Sequence, residues 1–307
     1  MKYLKLIRYQ NLLLIAFMQL IVLYGFLKIQ NIWLFLYDWQ YYLLILSTLT
    51  IAAGGYIIND IIDQQPDAEN KPNGNIVGKS ITESTAYNLY VGFTLTGVGI
   101  GFYLANAIQK PGFVTVFILC AAMLYMYATS FKQILLVKNL VVSFLLAFSI
   151  IIIGLFEIYP ATNPENQSVM KVVFSILIDF SIIAFIINFI RELVKDIEDV
   201  KGDYNNGTQT LPIVLGISRT TKITFGLTII PISLIIYYTY NNLFHLQFAT
   251  VYILAFLIGP LFYFMIKIWS ARNKKDFSHL SMVLKLVIFF GIIAIGVIGI
   301  NMKYYAS

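Results

Sequence analysis

The chain has 307 residues, of which 59% are hydrophobic and only 12% are charged, and its formal net charge is +6. This composition lies outside the range of soluble globular domains and predicts an integral membrane protein. The single cysteine, Cys120, excludes a disulfide framework and a cysteine metal site, and the basic residues show no nucleic-acid signature.

Nine hydrophobic runs are long enough to cross about 30 Å of hydrocarbon as helices. They lie at 12–28, 40–58, 86–107, 112–129, 139–158, 170–190, 223–241, 247–269 and 284–302. We therefore predict an all-α polytopic membrane protein with nine transmembrane helices in a single domain, 1–307. A duplicated four-helix unit, about 1–130 and 131–270, is one interpretation, because acidic clusters follow both the second and the sixth run.

The basic residues predict how the chain crosses the membrane. If the N-terminus is cytoplasmic, 17 of the 21 Lys and Arg residues fall on the cytoplasmic side and 4 on the other. Such sorting is typical of inner-membrane proteins. It predicts a bacterial or archaeal plasma-membrane protein whose two acidic clusters both lie on the cytoplasmic side.

The first acidic cluster follows the second run. It contains Asn59, Asp60, Asp63 and Asp67. Positions 60, 63 and 67 share one face of a helix with 3.6 residues per turn. Because Pro66 ends or kinks a helix, Asp67 can also sit on a turn just past it.

Polar residues also mark the passage from the fourth run to the fifth. Lys132 and Asn139 flank this connection, and Tyr127 lies shortly before it. A lysine here is compatible with diphosphate binding, and it is equally compatible with the ordinary excess of positive charge on the cytoplasmic side.

The second acidic cluster follows the sixth run. Glu192, Asp196, Asp199 and Asp203 form one helical stripe, and Gly202 and Gly207 are expected to break the helix. Like charges at this spacing repel, so a cation should offset them. Mg²⁺ suits this task, because it binds carboxylate and phosphate oxygens together. Two facing stripes would clamp a diphosphate, although any single acid, such as Glu198, could equally be a solvated loop residue.

These motifs resemble the UbiA superfamily of intramembrane prenyltransferases. The first cluster fits the family pattern N-D-x-x-D-x-x-x-D, and Asp199 and Asp203 fit its D-x-x-x-D pattern, with Asp196 one turn before. Arg8 and Asn11 resemble R-P-x-N with Tyr9 in place of proline. Lys132 and Asn139 match Y-x-x-x-x-K and G-N, with Lys138 in place of glycine.

The resemblance implies nine helices around a central cavity that opens to lipid, and two Mg²⁺ ions. The implied residues that both bind metal and act in catalysis are Asp60, Asp63 and Asp67 for one ion and Asp196, Asp199 and Asp203 for the other. Asn59 is implied as a further ligand of the first ion. The substrate-binding set is Asn11, Asn59, Lys71, Tyr127, Lys132, Asn139, Arg191 and Lys195. The resemblance also implies that an isoprenyl diphosphate would be the donor and that Tyr127 would stabilise an allylic cation through its ring.

The acceptor is predicted from the segment 191–212. It is most similar to geranylgeranylglycerol-phosphate geranylgeranyltransferases, which favours a hydroxyl acceptor such as geranylgeranylglycerol phosphate, with an aromatic quinone precursor as the alternative. Gly74 and Asn75 replace the usual Arg-Pro, which leaves open a weakened relative that binds without turnover. A cation-coupled transporter is the alternative of another class, but its mid-span acid would be Asp179 alone.

Overall fold

The computed structural model describes residues 1–64, 76–205 and 207–305. Within these ranges, nine helices are long and apolar enough to cross a membrane. They are α1 (Tyr9–Gln30), α2 (Asp38–Ile62), α3 (Glu83–Ala107), α4 (Pro111–Thr129), α5 (Val137–Ile158), α6 (Gln167–Glu198), α7 (Ile217–Leu243), α8 (Gln247–Ser270) and α9 (Lys274–Tyr304). The prediction of an all-α chain with nine membrane helices is confirmed.

Among the described residues, three shorter α-helices accompany the long ones. Lys2–Leu6 precedes α1, and Val200–Asn205 and Leu211–Leu215 lie between α6 and α7. These pieces are too short to cross hydrocarbon, because a span needs about 20 residues. They therefore extend or connect the spans near the two acidic clusters.

The chain forms two compact units. The first comprises Met1–Phe17, Leu34–Val141 and Ile152–Met170. The second comprises Met18–Trp33, Val142–Ile151 and Lys171–Ser307. The predicted duplication at about 1–130 and 131–270 stays a prediction, because a division by contacts does not test for a repeat.

The first unit is built on the packing of α2 against α3. The Ser47 hydroxyl donates a 2.7 Å hydrogen bond to the Gly97 carbonyl across this contact. A buried cluster near the C-terminal end of α2 adds apolar contacts from α3, α4 and the N-terminal helix. Its members are Leu6, Ile57, Ile58, Ile61, Val77, Ile81, Ala86 and Ala128. This core fixes the end of α2, where the first acidic cluster begins.

The second unit has a larger core that joins α6 to α8 and α9. Ile190, Val194 and Ile197 of α6 are buried in the same cluster as Leu261 of α8 and Leu284 of α9. These α6 positions recur every three or four residues, which is the spacing of one helix face. The core therefore holds the C-terminal turns of α6, which carry the second acidic cluster.

A close approach of α9 to α1 is possible only because Gly299 has no side chain. The segment Ile21–Leu27 of α1 winds as a π-helix and contains Gly25. A Cβ atom added at Gly299 would lie 2.2 Å from the carbonyl oxygen of Gly25. The Gln30 side chain also donates a 3.2 Å hydrogen bond to the Gly299 carbonyl.

We expect Gly299→Ala to destabilise the protein by about 1–3 kcal/mol, because the methyl group would force two backbones apart. Thermal unfolding in detergent measures this as a lowered Tm. Gly291→Ala in the same helix is the matched control, since no atom of the described residues lies within 4 Å of the added Cβ there. An equal Tm for the two variants would show that the α1–α9 contact is not tight.

Candidate active site

The first acidic cluster begins in the last turn of α2. Asp60 lies within α2, whereas Asp63 follows its last residue, Ile62, and donates its backbone N–H to the Asn59 carbonyl at 3.0 Å. The helix therefore ends before Pro66, as proline chemistry predicts. Asp67 lies outside the described residues, so its place on a common face with Asp60 and Asp63 stays a prediction.

The Asp63 carboxylate binds two polar side chains. It accepts a 2.9 Å hydrogen bond from the Asn59 side-chain amide and forms an ion pair with Lys132. The Lys132 ammonium also lies 5.8 Å from the centre of the Tyr127 ring. Two predicted site residues that are 73 positions apart in the chain thus bind one carboxylate, and a third, Tyr127, lies beside the lysine.

The side-chain oxygen of Asn59 is a candidate ligand-binding atom. The residue is 8% exposed, and its side-chain oxygen has no hydrogen-bond partner among the described residues. Leaving a buried amide oxygen unsatisfied costs about 1–3 kcal/mol. Such an atom is typical of a position that is satisfied when a ligand binds.

Arg8 pairs with Asp60 in the structure, which the sequence did not predict. Its guanidinium donates a 2.9 Å hydrogen bond to Asp60 and lies 5.0 Å from the centre of the Tyr56 ring. Burial lowers the pKa of Arg8, but the Asp60 carboxylate and the Tyr56 and Tyr127 phenols raise it, and the net shift is upward. Arg8 therefore stays charged beside Asp60.

The remaining predicted residues of the first unit have different outcomes. Asn11 is partly buried in the first turn of α1, and its backbone N–H donates to the Arg8 carbonyl at 2.8 Å. Asn139 is 2% exposed in the first turn of α5. Lys71 lies outside the described residues. A role in substrate binding stays a prediction for all three.

The second acidic cluster continues α6 with little interruption. The Asp199 N–H donates to the Lys195 carbonyl at 2.9 Å, and the Asp203 N–H donates to the Asp199 carbonyl at 3.0 Å. These i to i+4 bonds preserve the predicted helical stripe. The prediction that Gly202 breaks the helix is wrong, because Val200–Asn205 is helical. The left-handed backbone occurs later, at Gly207, whose φ is +67°.

Basic side chains offset the acids of the second cluster. Glu192 pairs with Lys195 at 2.8 Å and with Arg191 at 3.3 Å, and Asp199 pairs with Lys274 at 3.3 Å. Asp196 is only 5% exposed. The buried Nε atom of Arg191 has no hydrogen-bond partner within the part of the chain that the structure describes. A donor of this kind suits an anionic ligand.

The oxygen-rich residues fit Mg²⁺ by their chemistry. The described residues contain no group of three or more His, Cys, Asp and Glu side chains close enough to hold a metal ion. Mg²⁺ does not require one, because it commonly takes one or two carboxylates and completes its shell with water and phosphate oxygens. The carboxylates of Asp60 and Asp63 and the unsatisfied oxygen of Asn59 supply such donors.

Comparisons with known proteins give consistent results. The sequence model of the UbiA prenyltransferase family matches residues 18–291. A relative named digeranylgeranylglyceryl phosphate synthase, from Korarchaeum cryptofilum, is 32% identical over 202 residues. That alignment spans 65% of this chain and 65% of the relative.

Solved structures show the same fold. One, from work on digeranylgeranylglyceryl phosphate synthase in membranes, has a TM-score of 0.69 at 21% identity and covers 98% of both chains. Another, a UbiA homolog from Archaeoglobus fulgidus bound to DMAPP and Mg²⁺, has a TM-score of 0.62 at 16% identity. It covers 96% of this chain and 99% of the homolog.

Proposed function

This chain belongs to the UbiA prenyltransferase family, and from that premise we propose that it transfers a geranylgeranyl-type group from an isoprenyl diphosphate to the hydroxyl of a lipophilic acceptor. The binding of Asn59 and Lys132 to the Asp63 carboxylate, with the Tyr127 ring 5.8 Å from the Lys132 ammonium, is the observation that carries the proposal. It combines oxygen ligands for a metal, a cation for phosphate and an aromatic ring. A carrier of small cations has no need for this combination.

Two Mg²⁺ ions are proposed as cofactors. Asn59, Asp60, Asp63 and Asp67 would hold one, and Asp196, Asp199 and Asp203 the other. When bound, Mg²⁺ supplies positive charge that stabilises diphosphate as a leaving group. The Mg²⁺ found with DMAPP in the Archaeoglobus fulgidus homolog supports the use of Mg²⁺.

The residues of this chain bind the donor and stabilise charge. Lys132, and Arg191 with Lys195, contact phosphate oxygens, so that negative charge on the departing diphosphate meets fixed cations. The bond from the allylic carbon to the diphosphate oxygen breaks, and the electron pair leaves with diphosphate. The Tyr127 ring stabilises the allylic cation, since the face of an aromatic ring attracts positive charge. The acceptor hydroxyl forms the new carbon–oxygen bond and loses its proton.

The preferred acceptor is geranylgeranylglycerol phosphate. The name of the Korarchaeum cryptofilum relative supports it, as does the run from Arg191 to Asp203. The reaction is proposed at the cytoplasmic face of a plasma membrane, with membrane lipid as surroundings. The sorting of 17 basic residues to one side and 4 to the other supports that orientation.

A panel of acceptors tests the proposal. Purified protein is incubated with Mg²⁺, geranylgeranyl diphosphate and either geranylgeranylglycerol phosphate or dihydroxynaphthoate, and the lipid products are analysed by mass. We expect an ether product carrying a second geranylgeranyl group. A product only from dihydroxynaphthoate would replace the hydroxyl acceptor with an aromatic one, and no product from any acceptor would overturn the proposed transfer.

A further inference from the structure

The first turn of α9 is fixed by a reciprocal set of hydrogen bonds. The Asp276 carboxylate accepts bonds from the backbone N–H groups of Arg272, at 2.9 Å, and Asn273, at 3.2 Å. In return the Asn273 side-chain oxygen accepts a 3.0 Å bond from the Asp276 N–H. This arrangement is the Asn and Asp counterpart of a capping box. It sets the backbone of Lys274, which lies between the two partners.

The same turn shares a buried core with the C-terminal part of α6. Ala271, Phe277 and Leu280 are between 1% and 5% exposed, and they belong to one buried cluster with Val194 and Ile197. Close-packed apolar contacts hold two helices in a defined relation. Val194 and Ile197 flank Asp196, so the turn that carries Lys274 and the turn that carries Asp196 belong to one apolar core.

The Lys274 ammonium lies 3.3 Å from the Asp199 carboxylate. The two side chains are 68% and 45% exposed. Ion pairs this exposed contribute little to stability, because water and salt screen the attraction. The stability gained from this ion pair therefore does not explain why the backbone of Lys274 is fixed by capping hydrogen bonds. An exposed ammonium with three donors can instead exchange one anionic partner for another.

We propose that Lys274 is a phosphate-binding residue of the second acidic cluster. The inference rests on the proposed function, in which Asp199 is a metal ligand. Without a phosphate ligand, Lys274 neutralises Asp199 and competes with a divalent cation for it. When a metal holds Asp199, the ammonium is released to donate hydrogen bonds to phosphate oxygens on the same ligand.

Two opposite effects follow from this exchange of partners. Lys274→Ala should weaken the binding of inorganic pyrophosphate in the presence of Mg²⁺ by about tenfold, the usual loss for one charge-assisted hydrogen bond. The same change should tighten Mg²⁺ binding two- to fivefold when phosphate is absent, because a competing cation has been removed. Removal of an ordinary surface charge has no reason to change the two affinities in opposite directions.

The test uses titration calorimetry of the full chain in detergent, first with Mg²⁺ alone and then with pyrophosphate in saturating Mg²⁺. Lys275→Ala is the matched control, because Lys275 is the next residue of the same helix and is also exposed. Lys274→Arg, which keeps the charge, should restore most of the pyrophosphate affinity. Equal pyrophosphate affinities for Lys274→Ala and Lys275→Ala would overturn the inference, and so would weakened Mg²⁺ binding in Lys274→Ala.

Steady-state kinetics distinguishes two sources of the phosphate group. A raised KM for the isoprenyl diphosphate, with kcat unchanged, assigns Lys274 to the donor, whereas a raised KM for the phosphorylated acceptor assigns it to the acceptor. Failure of the proposed function is a separate outcome. If the wild-type protein forms no lipid product but only Lys274→Ala loses pyrophosphate affinity, the transfer reaction is wrong and the phosphate site stands.

Discussion

Asp63→Asn is expected to lower the Mg²⁺-dependent release of diphosphate from geranylgeranyl diphosphate by on the order of 10³-fold. The carboxylate of Asp63 is a proposed metal ligand, and it also positions Lys132 and the Asn59 amide. Asparagine keeps the size of the side chain but removes its negative charge. One substitution thus weakens metal binding and releases the lysine proposed to bind phosphate. The rate of pyrophosphate release in liposomes measures the loss.

Glu83→Gln is the control for Asp63→Asn. Glu83 lies in the first turn of α3, within the same unit, and its substitution removes the same charge outside the proposed site. Its turnover should stay within about twofold of wild type, as expected for a surface change. Wild-type turnover in Asp63→Asn, with protein of unchanged Tm, would remove Asp63 from the mechanism.

The second large effect is expected from Asp199→Asn, with a loss of on the order of 10²–10³-fold in kcat/KM for the donor. Asp199 begins the D-x-x-x-D pattern, and the helical hydrogen bond between Asp203 and Asp199 holds the two acids one turn apart. Loss of its charge should also raise the Mg²⁺ concentration needed for half-maximal rate. A magnesium titration of the initial rate measures both quantities.

Glu198→Gln removes a carboxylate immediately before Asp199 and is the matched control. Glu198 is the last residue of α6 and is not a proposed ligand. We expect its magnesium dependence to match that of the wild-type protein. If Glu198→Gln and Asp199→Asn lose activity equally, the D-x-x-x-D stripe has no special role. The total negative charge of the cluster would then explain its effect on activity.

Hydrophobicity predicted which helices exist better than where they end. The run at 170–190 corresponds to Gln167–Glu198, and the run at 284–302 corresponds to Lys274–Tyr304. Both helices continue past the apolar run, because an amphipathic turn can bury one face against its neighbour and leave charges in water. Phe277 and Leu280 supply such a buried face at the start of α9. Hydropathy therefore identifies the part of a helix that lies in the hydrocarbon and does not identify the full length of the helix.

The acidic half of the site was readable from the sequence, but two of its basic partners, Arg8 and Lys274, were not. Asp60 and Arg8 are 52 residues apart, and Asp199 and Lys274 are 75 apart. The positive-inside pattern predicts that such cations share a side with the acids but does not pair them. Pairing depends on how α1 meets α2 and how α9 meets α6, which packing decides. The family motif identified Lys132 in advance because its spacing from a tyrosine is part of the pattern.

Measuring both products of a single reaction is the sharpest test of prenyl transfer by this chain. Proteoliposomes receive geranylgeranyl diphosphate and geranylgeranylglycerol phosphate, and the prenylated lipid and pyrophosphate are quantified with Mg²⁺ and again after EDTA. We predict equal amounts of lipid product and pyrophosphate with Mg²⁺, and neither product in EDTA. Donor recovered unchanged under both conditions, or turnover that persists in EDTA, would contradict this prediction.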